Sequence, residues 1–286
     1  MKTISYSNTD STNYQISKKQ KDSALGTIAA IVTSSATGYA IQPFSNFAIS
    51  KMIKINKDLA DIDKKKMKRA ALAIIDRKNL SQKGVKLNDY RKVNEILNGF
   101  DESVANGKSA FFAGIKGIEN VFGGKMFINE VVCNMEKLPA AIFHEIGHAF
   151  NANNSTFWRT VQKMKKHSLP IAGYIALYCA LTKKAVPKEE GNMELTKGQK
   201  VKNFIRENSG KLAFIATLPM LIEEGMASIR GNDWAKEFLS PDLAKKVSKH
   251  NKFAYITYLA TAAGFALSAY AARKVKDYFV DKKNAV

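Results

Sequence analysis

His144-Glu145-Ile146-Gly147-His148 spells H-E-x-x-H, and its spacing has a mechanical meaning. On an α-helix, positions i and i+4 lie on one face, so both imidazoles can reach a single Zn²⁺ from adjacent turns. Glu145 follows the first His and can project toward a metal-bound water, where a general base belongs. Pro139 suits the first turn of a helix, which predicts a helix over Leu138 to Asn151. Its apolar positions Ala141, Ile142, Ile146, Ala149 and Phe150 surround the His pair, as a buried catalytic helix requires. The plainer alternative is a surface or core helix that happens to carry two histidines.

Zinc wants a third protein ligand and an open fourth position. Asn151 and Asn154 stand where a compact H-E-x-x-H-x-x-G-x-x-H site needs Gly and His, so the third ligand lies farther away. The candidates are His167, His250 and downstream carboxylates; the two cysteines, Cys133 and Cys179, offer no ligand spacing. Glu223-Glu224 stands out because it ends the apolar run Leu212 to Ile222. A carboxylate at the end of an apolar helix is costly unless it is solvated or paired, and a metal can pair it. Small Ala227 and Ser228 follow Glu224 at i+3 and i+4, which would let that face approach the His helix. Glu223 has bulkier Met226 at i+3. The pattern favours Glu224, with Glu223 and ordinary helix-end acids as alternatives.

Working outward, the 286-residue chain carries a net charge of +20, which calls for an anionic partner surface. No helix-turn-helix, zinc-finger or RNA-binding signature accompanies that charge, so nucleic acid is not expected. Residues 1–23 are polar and read as disordered. Ser23 to Ser50 is a run of 28 uncharged residues, long enough for a membrane anchor over 24–50, or else a buried helix. Lys51 to Lys78 reads as a basic amphipathic helix that could lie on an anionic bilayer or pack one face on a core. It opens a basic helical region, 51–100, which closes with a short helix over Asn88 to Phe100.

Short apolar runs separated by glycines in Ser109 to Val132, with a turn at Gly123-Gly124, predict a small β element. Ser168 to Thr182 and Leu212 to Ile222, 15 and 11 uncharged residues, read as an apolar helical hairpin (168–222) inserted in the core segment 101–230. The charged stretch Lys183 to Lys211 joins them. Residues 231–252 read as a basic connector broken at Ser240-Pro241. Phe253 to Ala272, 20 residues without charge, is the best transmembrane candidate, and a basic tail completes 253–286.

Ser109-Ala110-Phe111, a following edge strand, His144-Glu145-Ile146-Gly147-His148 and, 76 residues later, Glu224-Gly225-Met226-Ala227-Ser228 together resemble the HtpX-type and CAAX-prenyl-protease-type membrane zinc metallopeptidases. The resemblance covers about 120 residues, from 109 to 230. It implies a mainly α fold: a gluzincin-like zinc peptidase domain with a small β element and membrane-associated helices. It also implies Zn²⁺ held by His144, His148 and Glu224, with Glu145 as base, in a membrane-associated endopeptidase acting on protein or peptide substrates. Ser228 stands where that family usually has Asp, and Ser109 where it has Asn. No counterpart of the family's downstream His and Arg is evident beyond His250. The expected placement is integral to the membrane, beside an anionic lipid surface, with the catalytic region facing the cytoplasm. His148 and Glu224 must share one side, so the segments between them cross twice or insert as a hairpin. The competing expectation is a weakly active or inactive zinc-binding membrane scaffold.

Overall fold

The structure, a computed structural model, describes residues 9–90, 100–119, 125–186 and 194–284. It is mainly helical, with nine α-helices and five short strands among the described residues. Contacts divide the chain into two units. One contains Gln42–Ser168 and Thr217–Thr261; the other contains Met1–Ile41, Leu169–Ala216 and Ala262–Val286.

The first of these units is built on a three-stranded sheet. Strand β1 (Lys86–Asp89) runs parallel to β5 (Glu130–Cys133), and β2 (Phe111–Phe112) pairs with the other side of β5 in antiparallel fashion, giving the order β1-β5-β2. A second, two-stranded sheet pairs β3 (Ile118–Glu119) with β4 (Lys125–Phe127) in antiparallel fashion. Gly117 opens β3 at φ 77°, and a Cβ there would sit 2.6 Å from the Phe127 carbonyl, so only glycine fits at that position. Helix α5 (Ile142–Asn154) packs on β5 and β2, and α3 (Asp61–Arg77) packs on α5. Met67, Ala71, Ile74 and Ile75 of α3 join Val131, Cys133, Phe143, Ile146, Trp234 and Val247 in one buried cluster. The apolar stripe of α3 is therefore covered by protein, while Lys65 and Lys66 face outward.

The second unit is packed differently. It takes in α1 (Thr9–Ala40), the later part of α6 (Thr156–Leu181), α7 (Lys197–Glu207), the start of α8 (Ser209–Phe238) and most of α9 (Pro241–Asn284). Its interior holds Ala172, Ala176, Ala213 and Ala269 in one cluster and Ala30, Cys179, Ala180 and Ala272 in another. A Cβ on Gly210 would lie 3.0 Å from the Ala266 carbonyl, so backbones approach closely here. Meanwhile Ile28, Val32, Tyr174, Leu177, Ile215, Leu267 and Tyr270 are exposed. Small residues inside and large apolar ones outside is the pattern of helices that meet in lipid. Three stretches are long and apolar enough to cross a membrane: Ala24–Lys57, Ser209–Phe238 and Pro241–Phe279.

Several sequence expectations change. Helix α1 begins at Thr9, within the stretch that composition marked as disordered. The basic amphipathic segment is two helices, α2 (Gln42–Lys57) and α3, because Asp58 to Ala60 turn the chain. Lys86–Asp89 is a strand, and α4 (Phe100–Ala105) starts where a helix was expected to finish. Residues 91–99 and the Gly123-Gly124 turn lie outside the described residues. Part of the charged stretch 183–211 is helix α7, whose start is fixed by a capping box between Thr196 and Gln199. The 15- and 11-residue apolar runs belong to longer helices, of 26 and 30 residues. Residues 231–252 are helical too, apart from the break before Pro241. Helix α8 runs past Glu224 because the carboxylates that interrupt its hydropathy find buried partners.

Candidate metal centre

The His helix is anchored at its start. Pro139–Ala141 forms a 3₁₀ turn leading into α5. The Ala140 backbone N–H, which the helix cannot satisfy, donates to Asn56 Oδ1 at 2.9 Å. Asn56 is fully buried and its Nδ2 lies 3.0 Å from His250 Nδ1. His250, one of the ligand candidates, is therefore committed to the support of α5. His167, the other, is exposed.

Two glycines then bring α5 against α8. A Cβ on Gly147 would lie 2.8 Å from Ala227 Cα, and one on Gly231 would lie 2.6 Å from the Phe143 carbonyl. The helices meet backbone to backbone at both points, and this contact carries Glu224 to the histidines. Glu224 Oε2 lies 2.9 Å from His144 Nε2 and 3.4 Å from His148 Nε2, and the two Nε2 atoms are 2.9 Å apart. The imidazole planes cross at 85°. Ligand atoms of a tetrahedral ion at about 2.0–2.1 Å stand about 3.3 Å from one another. The three atoms thus lie at separations that one small ion can bridge, and the buried His144, His148 and Glu224 form a group able to hold a metal.

The surroundings favour a cation as well. His148 Nδ1 is 2.6 Å from Glu223 Oε1, and His144 Nδ1 is 3.1 Å from Ser228 Oγ. Each imidazole can donate from Nδ1 and turn a bare Nε2 toward the centre, the tautomer a metal requires. Glu223 faces the opposite side of the His148 ring from Glu224, so it acts behind the ligand. Ser228 takes the hydrogen-bonding place behind His144. Glu223 also accepts from Gln162 Nε2 at 2.8 Å, Asn151 Nδ2 at 3.3 Å and Lys165 Nζ at 3.1 Å. Glu145, 7 % exposed, is the third carboxylate in this buried region. Lys165 and one dication would balance Glu145, Glu223 and Glu224.

Charge governs the ionisation of the cluster. Burial acts to lower the His148 pKa, but Glu223 and then Glu224 outweigh it and push it up to about 10 without metal. Burial likewise works against the Lys165 ammonium, yet Glu224 and Glu223 hold it above the usual lysine range. Elsewhere, burial pushes the Cys133 thiol well up, and the Glu145 and Asp89 charges add to this, so that sulfur is an unreactive core group.

Sequence reasoning named His144, His148, Glu145, Glu223 and Glu224, and the structure gathers the two histidines and the adjacent Glu223 and Glu224 of α8 into one network. It did not find Asn56, Gln162 or Lys165. Gln162 and Lys165 share a helix face at i and i+3, which was the available signal, but nothing local tells what that face meets. No family model, curated protein or solved structure matches the chain, so the functional reading rests on these residues themselves.

Proposed function

We propose that this protein is a membrane-associated zinc-dependent endopeptidase. The observation that carries the reading is the convergence of His144 Nε2, His148 Nε2 and Glu224 Oε2, with Glu145 next to the first ligand on the same helix. Two nitrogens and one oxygen suit zinc, and a site with three protein ligands leaves room for water. A zinc ion held there supplies a Lewis acid for the scissile carbonyl and an acidified water.

The chain's own groups do the rest. Glu145 accepts a proton from the attacking water as its oxygen bonds to the carbonyl carbon, then delivers it to the departing amine as the C–N bond breaks. Glu223 and Ser228 keep the imidazoles oriented through Nδ1. Strand β2 lies at the edge of the sheet and packs on α5, which suits it to hold a peptide in extended form by main-chain pairing. The alanine-lined unit with its large apolar exterior suits insertion in a bilayer, and the excess positive charge suits anionic lipid beside it.

The test uses full-length protein purified in detergent and loaded with zinc. Glu145→Gln should retain stoichiometric zinc and lose cleavage of an unfolded protein substrate. Undiminished cleavage in Glu145→Gln would overturn the mechanism. Zinc binding by wild type with no hydrolysis of any substrate in a broad peptide library would favour a zinc-binding membrane scaffold.

A further inference from the structure

Lys165 brings an ammonium to the adjacent carboxylates Glu223 and Glu224 of α8. Its Nζ stands 3.1 Å from Glu223 Oε2 and also pairs with Glu224 Oε1. Glu224 is thereby divided: Oε2 faces the two imidazole Nε2 atoms, while Oε1 is held by the ammonium. Lys165 is held in turn by the helix that carries it. Three residues earlier on α6, Gln162 Nε2 donates to the His148 carbonyl at 2.9 Å and to Glu223 Oε1 at 2.8 Å, which fixes this face of α6 against the site.

The division matters for the coordination number. A carboxylate can give a metal one oxygen or two. With two imidazoles and both oxygens of Glu224, an ion preferring four ligands would be filled and would have no place for water. With Oε1 occupied by an ammonium, only Oε2 is offered, and the fourth position stays open. Resting on the zinc reading above, we propose that Lys165 is a positioning residue that makes Glu224 a one-oxygen ligand and so reserves the metal's water site. Its bridge to Glu223 extends this control to His148, because Glu223 orients that imidazole from behind. The ammonium also offsets the charge of both carboxylates.

The experiment compares full-length wild type, Lys165→Met and Lys165→Arg, loaded with zinc or with cobalt(II). Affinity is read by chelator competition, and coordination by the cobalt visible spectrum and zinc X-ray absorption. Lys165→Met should bind zinc about 10–100-fold more weakly. Its spectra should show an added carboxylate oxygen, whereas Lys165→Arg, which keeps the charge, should resemble wild type. Wild-type affinity and spectra in Lys165→Met would overturn the proposal. The wild-type zinc spectrum decides the matter even if that variant fails to fold: one glutamate oxygen supports the proposal, and two overturn it. Failure of the underlying reading looks different, since wild type would then hold no more zinc than His144→Ala.

Discussion

The two units of this chain solve the problem of helix burial in opposite ways. In the unit that carries the histidines, the interior is made of large side chains, among them Met67, Ile74, Leu80, Val131, Phe143, Ile146 and Trp234. In the other, alanines meet inside, and Ile28, Val32, Tyr174, Leu177, Ile215 and Leu267 point outward. Water drives large apolar groups inward, whereas lipid is as apolar as leucine and leaves close packing of small residues to hold helices together. One chain thus holds two kinds of interior, one of large side chains and one of small residues. His144, His148 and Glu224, the group able to hold a metal, sit in the unit with the large-residue interior, even though Glu224 belongs to a helix long and apolar enough to cross a membrane.

The contrast can be broken most severely at Gly147. Gly147→Val places a branched side chain where Ala227 backbone stands, so α5 and α8 must part. Zinc content of the purified protein should fall to background, while the same change at exposed Gly198, with open space around it, should leave zinc unchanged. Next in size, Phe143→Ala empties a fully buried site in the large-residue core and should cost about 3–5 kcal/mol in denaturant unfolding.

A smaller and more pointed comparison sets Ile215→Asp against Ile62→Asp, two exposed isoleucines, one in each unit. A charge on a lipid-facing position of a spanning helix costs about 2.5–3.5 kcal/mol, whereas a water-facing change stays within about 0.5 kcal/mol. Membrane integration and heat stability in bilayers should suffer in the first variant alone; equal effects would erase the distinction between the units. The mildest test is pH. His148, raised to about 10 without metal, gives the metal-free protein stability that is full below its ordinary pKa of about 6.5 and is lost as pH rises toward 10. Zinc must displace that proton, so its affinity should strengthen over the same window by about tenfold per pH unit. Chelator competition at stepped pH measures this, and a flat profile would remove His148 from the ligand set.

Much of the site was legible because its signals are local. The i, i+4 spacing of His144 and His148 survives any fold in which that segment is helical, and Pro139 marked where the helix begins. The small pair Ala227 and Ser228 correctly pointed to the face of α8 that approaches α5, since helix periodicity fixes which residues stand beside Glu224. The lengths of the apolar helices were not legible from uncharged runs. Hydropathy ends at Glu223, but the helix does not, because Lys165, Gln162 and His148 make a buried carboxylate tolerable there. Residues 231–252 are helical on both sides of the expected break at Ser240-Pro241, because polar residues on the outer face of a helix lower hydropathy without ending the helix.

The sequence alone therefore named the residues able to hold a metal and set Glu145 beside the first of them, since residue chemistry and helical spacing require no partner. Only the tertiary structure showed that Glu224, and not Glu223, reaches both Nε2 atoms, because that depends on which oxygen α8 turns toward α5 once Gly147 and Ala227 touch. It also decided that Lys165 enters the site, through a packing of α6 that brings together residues 58 positions apart and leaves no trace in local spacing.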